Sequence, residues 1–456
     1  MKKTFIFTFL FYYKPIMKKI VFYFAIFVLL NNISFSQEVG FFKSQVVFEP
    51  KNSGYFVFRI PSFIITKNNS ILAFAEGRKG GGGDWDPSNV VLKTSADGGN
   101  TWSDIRVIAE YGKFSCSNIV PIMDYFENKI HLLYVVGYNT VYHTFSTDEG
   151  ENWEAPINIT KNIEDFRSKY NWRVVATGPG HGTQLTNGRL IVPVWFADAS
   201  ILDTISFIIP HYPSITSVLY SDDFGKSWLM GDIVSPNSDT LVFPSEAVCV
   251  ELQDGRTMFN MRSESINYRR IVSYSYDGVA NWQKPYYSDN FFEPICHASM
   301  IRYSIQPYQS KNRILFANPD SRMSPWKLGR ATTINAGPKR QRVNLTLRIS
   351  YDEGVTFPIY KILDEGRSGY SDLAVDETGI IHCLYEKGSK NNNHFLPENI
   401  SMLSFDLNWA TNGQDHLSPD DMPLNSNMIC AAEKYNNKDQ VKKKKFFFKR
   451  KAQKSC

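Results

Sequence analysis

An eight-residue motif, Ser-x-Asp-x-Gly-x-Thr-Trp, recurs along the chain and constrains its fold more than any other feature of the sequence. Four good copies lie at Ser95–Trp102, Ser146–Trp153, Ser221–Trp228 and Ser350–Phe357, and a degenerate copy lies at Ser275–Trp282. Each copy, which we call the Asp-turn motif, stands between two short stretches of alternating apolar residues. That arrangement predicts a strand, a tight turn and a second strand, repeated at intervals of about 50 to 75 residues.

The residues of the Asp-turn motif have structural roles in such a turn. The Asp carboxylate can accept hydrogen bonds from turn amides, the glycine permits a positive φ, and the tryptophan buries its ring against the sheet. Repeated strand pairs of this kind are typical of the blades of a β-propeller. We therefore predict an all-β fold, a six-bladed β-propeller spanning residues 37–411, with no catalytic role for the motifs themselves.

The amino-terminal segment has the pattern of a secretory signal peptide. Two lysines follow Met17, the unbroken apolar run Ile20–Leu30 comes next, and small residues follow that run. The run is shorter than the ~20 residues that cross a bilayer, so an uncleaved membrane anchor is the less favoured alternative. We predict that residues 1–36 are a signal peptide, with Met17 as a possible true start. The protein would then be exported to the periplasm, the cell surface or the medium.

Charge is distributed unevenly along the chain. The formal net charge of +5 comes from the two ends, since residues 1–36 hold five lysines and no acid, and residues 431–456 hold ten basic and two acidic residues. The body, residues 37–430, is therefore acidic, which argues against nucleic-acid binding. The basic segment 412–456 has no strand or helix pattern and is predicted to be a disordered tail. The six cysteines show no zinc-binding spacing, and we expect no metal and no cofactor.

Three arginines lie at predicted strand ends outside the Asp-turn motifs. Arg59 follows the alternating segment YFVF, Arg262 ends the strand-like segment MFNM, and Arg342 begins the strand that leads into the last motif. In a propeller, loops from successive blades converge at one end of the central channel. A single arginine there is ordinarily a surface or structural residue. Three arginines from different blades could converge on one carboxylate, which the planar guanidinium group binds well.

Acidic residues and a tyrosine are candidates for proton transfer and covalent chemistry. Asp84 and Asp86 lie in a glycine-rich loop between two predicted strands, and either could be an acid that swings over a bound ligand. Glu246 and Arg262 bracket a segment that turns at an Asp-Gly pair, which places both at the same end of one hairpin. Tyr370 is predicted on a loop after the last motif. A glutamate within reach of its phenol could take the proton and make it a nucleophile.

Taken together, these features resemble the bacterial exo-α-sialidase (neuraminidase) family, whose repeats are known as Asp boxes or BNR repeats. The resemblance extends from about Val46 to Asn412. It rests on the segment FRIP around Arg59, the repeated motif, the Glu–Arg hairpin and the late segment SGYS. Any one of these features alone would be unspecific, whereas the combination is highly specific. The resemblance implies a six-bladed propeller.

Carried onto this sequence, the resemblance implies a role for each main candidate. The arginine triad that binds the substrate carboxylate in the family corresponds to Arg59, Arg262 and Arg342. The family nucleophile corresponds to Tyr370, and its base partner corresponds to Glu246.

The acid/base aspartate of the family stands about eleven residues before the first motif, which selects Asp84. A shift of two residues in the loop would select Asp86 instead, so both remain candidates. Arg78, which shortly precedes this loop, resembles an arginine that borders the site near O4 of the sugar. The segment Thr177–Leu185 also resembles a family segment, without an assignable role.

The resemblance predicts a retaining exo-α-sialidase that hydrolyses terminal sialic acid from glycoproteins, glycolipids or oligosaccharides. Its partners would be sialylated glycans, and the mature protein would be a monomer without a membrane span. Two alternatives remain open. One is a trans-sialidase or an intramolecular (anhydro) sialidase on the same core, and the other is a non-catalytic Asp-box propeller that binds glycan or protein.

Overall fold

Antiparallel β-strands form most of the regular structure of this protein. The computed structural model describes residues 40–201, 210–323, 341–393, 395–422, 424–425 and 428–434. All of them belong to one unit, Gly40–Cys456, and the description concerns that unit alone. The predicted signal peptide, residues 1–36, lies outside the described residues, as does the end of the predicted tail, residues 435–456.

Strand β1 (Phe42–Phe48) pairs with the last strand of the chain, and the strands after it form four sheets in chain order. The first two sheets comprise β2 (Val57–Ile65), β3 (Ile71–Arg78), β4 (Ser88–Ser95) and β5 (Arg106–Glu110), then β6 (Cys116–Asp124), β7 (Lys129–Val136), β8 (Thr140–Ser146) and β9 (Ile157–Asn158). The third sheet comprises β10 (Val174–Thr177), β11 (Thr183–Gln184), β12 (Leu190–Ala197), β13 (Ser214–Ser221) and β14 (Leu229–Met230). The fourth comprises β15 (Ala247–Glu251), β16 (Thr257–Met261), β17 (Arg269–Ser275) and β18 (Tyr286–Phe292).

A seven-stranded sheet completes the set. Its remaining strands are β19 (Ser299–Ser304), β20 (Arg313–Pro319), β21 (Val343–Ser350), β22 (Ile359–Val375), β23 (Ile381–Lys387) and β24 (Asn399–Phe405), and β24 pairs with β1. The short helices α1 (Lys161–Glu164) and α2 (Leu407–Ala410) connect or follow strands, and residues 428–434 are also helical. The predicted β character of the fold is confirmed, with few helical residues in the described part of the chain.

The long strand β22 changes its partner half-way along. Residues up to Arg367 pair with β21, and residues from Ser368 onward pair with β23. Divided at that point, the seven-stranded sheet separates into two groups of four strands. Tyr370 lies just after the change of partner, inside β22, so the prediction that it lies on a loop is wrong. The strand continues there because β23 takes over as its partner.

The Asp-turn motifs adopt the predicted turn at the end of the third strand of their sheets. In the first copy Ser95 is the last residue of β4, and its hydroxyl donates to Asp97 Oδ1 at 2.8 Å. The Asp97 carboxylate also accepts the backbone N–H of Thr101 at 2.9 Å, and Gly99 has a φ of +79°. The degenerate copy, Ser275–Trp282, forms the same serine–aspartate hydrogen bond. The motifs therefore close strand pairs, as their sequence predicted.

Successive sheets pack against one another through apolar side chains. Buried clusters join β3 to β7, β7 to β12, β12 to β16, β15 to β20, and β24 back to β3. A further cluster joins the two halves of the seven-stranded sheet, with Leu345 and Leu403 among its members. The sequence of contacts thus returns from the last strands to the first sheet.

A buried carboxylate connects the innermost strands. Asp372 of β22 is fully buried and accepts the backbone N–H of Phe63 in β2 at 3.0 Å. It also accepts the hydroxyl of Ser299 in β19 at 3.0 Å and lies 2.7 Å from Nδ1 of His181. His181 belongs to the segment Thr177–Leu185, to which the sequence assigned no role. That segment therefore joins the third sheet to the last one.

Chain beyond residue 411 continues to pack on the sheets. Asp415 is 2% exposed and forms a bidentate ion pair with Arg313 of β20, at 2.7 and 2.9 Å. Leu424 is buried in the cluster of the seven-stranded sheet. Packed structure thus extends past the predicted boundary between body and tail. Among the described residues, no helix has the length and apolar character needed to cross a membrane.

We expect Arg313→Met to lower the free energy of unfolding by about 3 kcal/mol, because the change leaves Asp415 buried without its main cation. Arg256→Ala is the matched control, since its ion pair with Asp254 lies at the surface and should contribute less than about 1 kcal/mol. Urea unfolding of both variants measures the difference. Equal losses of stability would contradict a special role for the pair that anchors residue 415.

Candidate active site

Six of the predicted site residues line one cavity of about 230 Å³. They are Arg59, Asp84, Glu246, Arg262, Arg342 and Tyr370. The cavity lies at the strand ends opposite to the Asp-turn motifs. Asp84 precedes β4 and Arg342 precedes β21, whereas a motif follows each of those two strands. The structure therefore brings together side chains from three different sheets.

A hydrogen-bonded cluster of tyrosine, glutamate and arginine occupies the floor of the cavity. The Tyr370 hydroxyl donates to Glu246 Oε1 and accepts Nη1–H of Arg262 at 2.8 Å. The same Nη1 group lies 2.8 Å from Glu246 Oε2. Tyr370 and Glu246 are each 5% exposed. Burial, together with the negative charge of Glu246, raises the pKa of Tyr370 well above its ordinary value, so the phenol is protonated at neutral pH.

Local backbone geometry aims these side chains. Glu246 and Arg262 flank the hairpin of β15 and β16, and the backbone N–H of Arg262 donates to the carbonyl of Glu246 at 2.8 Å. The predicted position of both residues at one end of a hairpin is confirmed. Tyr370 lies in a register irregularity of β22, between Ser368 and Ser371, where the pairing with β23 shifts. Such bulges redirect a side chain out of the regular alternation of a strand.

Arg59 also lies at an irregularity inside a strand. The pairing of β2 with β3 shifts between Arg59 and Ser62, and Ile60 between them has a φ of +52°, in the left-handed region. The sequence placed Arg59 after a strand, whereas the structure places it within β2. The strand interruption that turns this side chain into the cavity was not visible in the alternation of apolar residues.

Arg59 and Arg342 flank the ring of Tyr370. The guanidinium carbons lie 5.6 Å and 5.3 Å, respectively, from the ring centroid. Arg59 is held by Glu386, whose Oε1 accepts its Nε–H at 3.0 Å. Arg342 donates to the backbone carbonyl of Ile295. Three guanidinium groups thus surround one phenol, which gives this part of the cavity a high density of positive charge for an anionic ligand.

The two competing aspartates have different surroundings. The side chain of Asp84 is 43% exposed, faces the cavity and accepts Arg78 Nη1–H at 2.9 Å, with Arg59 Nη1 at 3.8 Å. Asp86 instead accepts the backbone N–H of Gly83 at 2.8 Å and is absent from the cavity lining. The geometry therefore favours Asp84 as the group that meets a ligand, and gives Asp86 a role in shaping the loop.

Charge determines the protonation state of Asp84. The protein that surrounds its carboxyl would by itself raise the pKa, but the positive charges of Arg78 and Arg59 outweigh that effect and hold the pKa well below its ordinary value. Arg78 is itself fixed by the fully buried Glu76, whose Oε2 accepts two of its N–H groups at 2.7 and 3.0 Å. Arg78 also donates to the carbonyl of Gly82 at 2.7 Å, and so fixes the loop that carries Asp84.

Several residues of the site were missed from the sequence. Glu386 of β23 holds both Arg59 and the backbone N–H of Tyr370, the latter at 3.1 Å. No local pattern could mark it, because 327 residues separate it from Arg59. An aromatic wall of Tyr138, Trp195 and His211 lines another side of the cavity. No pattern in the sequence indicated that these rings face a site.

Comparison with known proteins identifies a family and several relatives of this chain. The profile of the BNR repeat-like domain family matches residues 69–383. A "Sialidase" from Bacteroides fragilis (strain YCH46) is 28% identical over 363 residues, which cover 72% of this chain and 60% of the relative. A "Sialidase" from Micromonospora viridifaciens is 25% identical over 386 residues, which cover 78% of this chain and 52% of the relative. The chain therefore spans only about half to three fifths of the length of these relatives.

A solved structure has the same fold. It is described as "Hadza microbial sialidase Hz136" and superposes with a TM-score of 0.64 at 22% sequence identity, covering 80% of this chain and 68% of that one. The family profile covers well over half of this chain, and all five Asp-turn motifs lie within the matched residues. This protein belongs to the BNR repeat-like domain family, and the relatives described above are named sialidases.

Proposed function

We propose that this protein is a retaining exo-α-sialidase, which removes terminal sialic acid from glycans through a tyrosine nucleophile. One observation carries the proposal. The Tyr370 hydroxyl contacts both Glu246 and Arg262 in a cavity that two further arginines line. The names of the relatives support the same activity.

We further propose that the sheets are the blades of a six-bladed propeller. Two features support this reading. Dividing β22 at its change of partner leaves six groups of strands among the described residues. The apolar clusters connect neighbouring groups in chain order and join the last group to the first. In such a ring the cavity lies at one end of the central channel, where propellers commonly bind ligands.

The arginines are suited to the carboxylate that sialic acid carries on its anomeric carbon. A guanidinium group offers several N–H donors in one plane, which match the two oxygens of a carboxylate. The Nε and Nη2 groups of Arg59 donate to Glu386, so its Nη1 group is available to bind a ligand in the cavity. Arg262 and Arg342 would complete a clamp that fixes the anomeric carbon above the Tyr370 hydroxyl. Holding the reacting atoms in place in this way lowers the entropic part of the barrier.

A tyrosine nucleophile suits this substrate better than a carboxylate. An ionised Asp or Glu would have to approach a carbon that already carries a negative group, and the two charges would repel each other. Tyr370 is neutral until it reacts, since its pKa is raised. Glu246 can accept its proton as the phenol oxygen attacks. Most other glycosidases act on sugars without this anionic group and use a pair of carboxylates.

The reaction then proceeds in two displacements. In the first, the Tyr370 oxygen bonds to the anomeric carbon, its proton passes to Glu246, and the glycosidic bond breaks as Asp84 protonates the leaving oxygen. In the second, Asp84 takes a proton from a water molecule, which attacks the same carbon. The bond from that carbon to the Tyr370 oxygen breaks, and the oxygen takes its proton back from Glu246. Two inversions at one carbon give net retention of configuration.

The cellular setting is also part of the proposal. The segment that begins at Met17 supports export, with sialylated glycans outside the cytoplasm as substrates. We propose that the mature protein acts as a monomer, since one chain supplies every residue of the site described above.

The purified protein is expected to release the fluorophore from a fluorogenic α-sialoside and free sialic acid from a sialylated glycoprotein. A proton NMR time course should show the α-anomer of sialic acid first, because the proposed mechanism retains configuration. Correctly folded protein that releases nothing from either substrate would favour the alternative of a non-catalytic glycan- or protein-binding module. Formation of an anhydro sugar, or transfer to an added galactoside, would assign the transferase alternatives instead.

A further inference from the structure

One exposed aromatic side chain stands apart at the mouth of the cavity. Phe395 lies between β23 and β24 and is 38% exposed. Of the large apolar side chains exposed on the described surface, only Phe395 also lines the cavity. Its ring offers an apolar face to whatever enters, beside walls made of charged and polar groups.

Phe395 is adjacent to the proposed carboxylate clamp. The guanidinium carbon of Arg342 lies 5.1 Å from the centroid of the Phe395 ring and 5.3 Å from that of Tyr370. One guanidinium group is therefore in contact range of both rings, so Phe395 stands beside the nucleophile at the open side of the cavity. The backbone N–H of Phe395 donates to Asn393 Oδ1 at 3.0 Å, which fixes its place in the loop.

The same segment touches the loop of the proposed acid. Leu396 packs against Gly82, two residues before Asp84, so closely that a Cβ atom at position 82 would lie 2.5 Å from Leu396 Cδ2. Gly82 has a φ of +90°, which is a further reason for a glycine there. Phe395 thus stands near the carboxylate clamp through Arg342 and near the acid loop through its neighbour Leu396.

The chemistry of a sialoside determines which part of the substrate would lie next to Phe395. In a sialoside the carboxylate and the leaving oxygen are bonded to the same carbon. The leaving group must therefore emerge between the residues that hold the carboxylate and the acid that protonates the oxygen. Phe395 flanks that exit, and an aromatic face there can pack against the C–H groups on one face of a sugar ring.

We propose that Phe395 is a specificity-determining residue that binds the first sugar of the leaving group, the residue to which sialic acid is attached. This inference rests on the proposed sialidase function and deepens it. It assigns the protein a preference for sialosides of oligosaccharides over those with small leaving groups.

Phe395→Ala tests the proposal with two substrates, 3′-sialyllactose and methyl α-sialoside. We expect kcat/KM for the trisaccharide to fall about tenfold, because an aromatic contact with the leaving sugar is lost. The leaving group of the methyl sialoside contains no sugar ring, so kcat/KM for this substrate should stay close to the wild-type value. Phe395→Tyr keeps the aromatic face and should restore the preference for the trisaccharide.

Tyr276→Ala is the matched control, since Tyr276 is an exposed aromatic residue of an Asp-turn motif outside the cavity lining. Tyr276→Ala should leave kcat/KM unchanged for both substrates. If Phe395→Ala lowers kcat/KM equally for both substrates, or for neither, the assignment of Phe395 to the leaving group is wrong while the sialidase function stands.

Binding gives a readout that needs no turnover. Saturation-transfer NMR with 3′-sialyllactose uses protein that carries Tyr370→Phe, so that the ligand is not hydrolysed. Adding Phe395→Ala should weaken the signals of the galactose ring and leave those of sialic acid. Binding of the trisaccharide to the Tyr370→Phe protein with no saturation of the galactose ring would overturn the inference. Wild-type protein that neither cleaves nor binds either sialoside would overturn both the inference and the function beneath it.

Discussion

Tyr370→Phe is expected to lower kcat by roughly 10²–10⁴-fold while the protein stays folded. The change removes only the hydroxyl that contacts Glu246 and Arg262, and those two residues still pair with each other at 2.8 Å. No buried charge is therefore left without a partner. Steady-state rates with a fluorogenic sialoside, together with thermal unfolding of the variant, measure the two effects separately.

Tyr303→Phe is the matched control for this prediction. Tyr303 is a buried tyrosine whose hydroxyl donates to the carbonyl of Gly379 at 3.0 Å, away from the cavity lining. Its loss should cost about 1 kcal/mol of stability and leave kcat unchanged. Near wild-type rates for Tyr370→Phe would exclude this phenol as the nucleophile. A rate equal to wild type in Glu246→Gln would exclude the proposed proton acceptor.

Much of the fold was predictable because its main signal is local and repeated. The Asp-turn motif uses hydrogen bonds between residues at most five apart, such as Ser95 to Asp97 and Thr101 to Asp97, so a short stretch of sequence contains every residue that the turn needs. The hairpin that aligns Glu246 with Arg262 is equally local. These features depend on neighbouring residues, and reading along the chain is enough to find them.

The supporting groups of the site could not be predicted in the same way. Glu386 fixes Arg59 across 327 residues, and Asp372 joins β2, β19 and the segment of His181. Such contacts arise only when distant strands become neighbours. The bulges at Arg59 and Tyr370 were missed for a related reason. The position of a bulge depends on the pairing with the neighbouring strand, and the alternation of apolar residues along one strand contains no information about that neighbour.

Asp84→Asn is expected to lower kcat for a glycan substrate by roughly 10²–10⁴-fold, because the amide has no proton to give the leaving oxygen at useful pH. Asn preserves the size of the side chain in the cavity. Asp86→Asn is the matched control, since Asp86 bonds to the loop backbone at Gly83 and should affect kcat far less. This pair of variants decides between the two aspartates that the sequence left open.

The pH dependence follows from the charges around Asp84. In the free protein the positive charges of Arg78 and Arg59 outweigh the opposing effect of the surrounding protein and hold the pKa of Asp84 low, so the carboxyl is ionised at neutral pH. A general acid must carry its proton. A substrate carboxylate bound at Arg59 cancels part of the positive charge, so we expect the pKa of Asp84 to rise on binding. The value of kcat should then fall as pH rises through the pKa of the bound state.

Leaving-group acidity separates this role of Asp84 from a merely structural one. A nitrophenol leaves without much help from an acid, whereas a sugar hydroxyl needs a proton. We therefore expect Asp84→Asn to lose far more activity on 3′-sialyllactose than on a nitrophenyl sialoside, and to lose the alkaline decline of kcat. Equal losses on both substrates would show that Asp84 acts through the shape of the loop. If Asp86→Asn instead loses activity selectively on 3′-sialyllactose, Asp86 is the general acid.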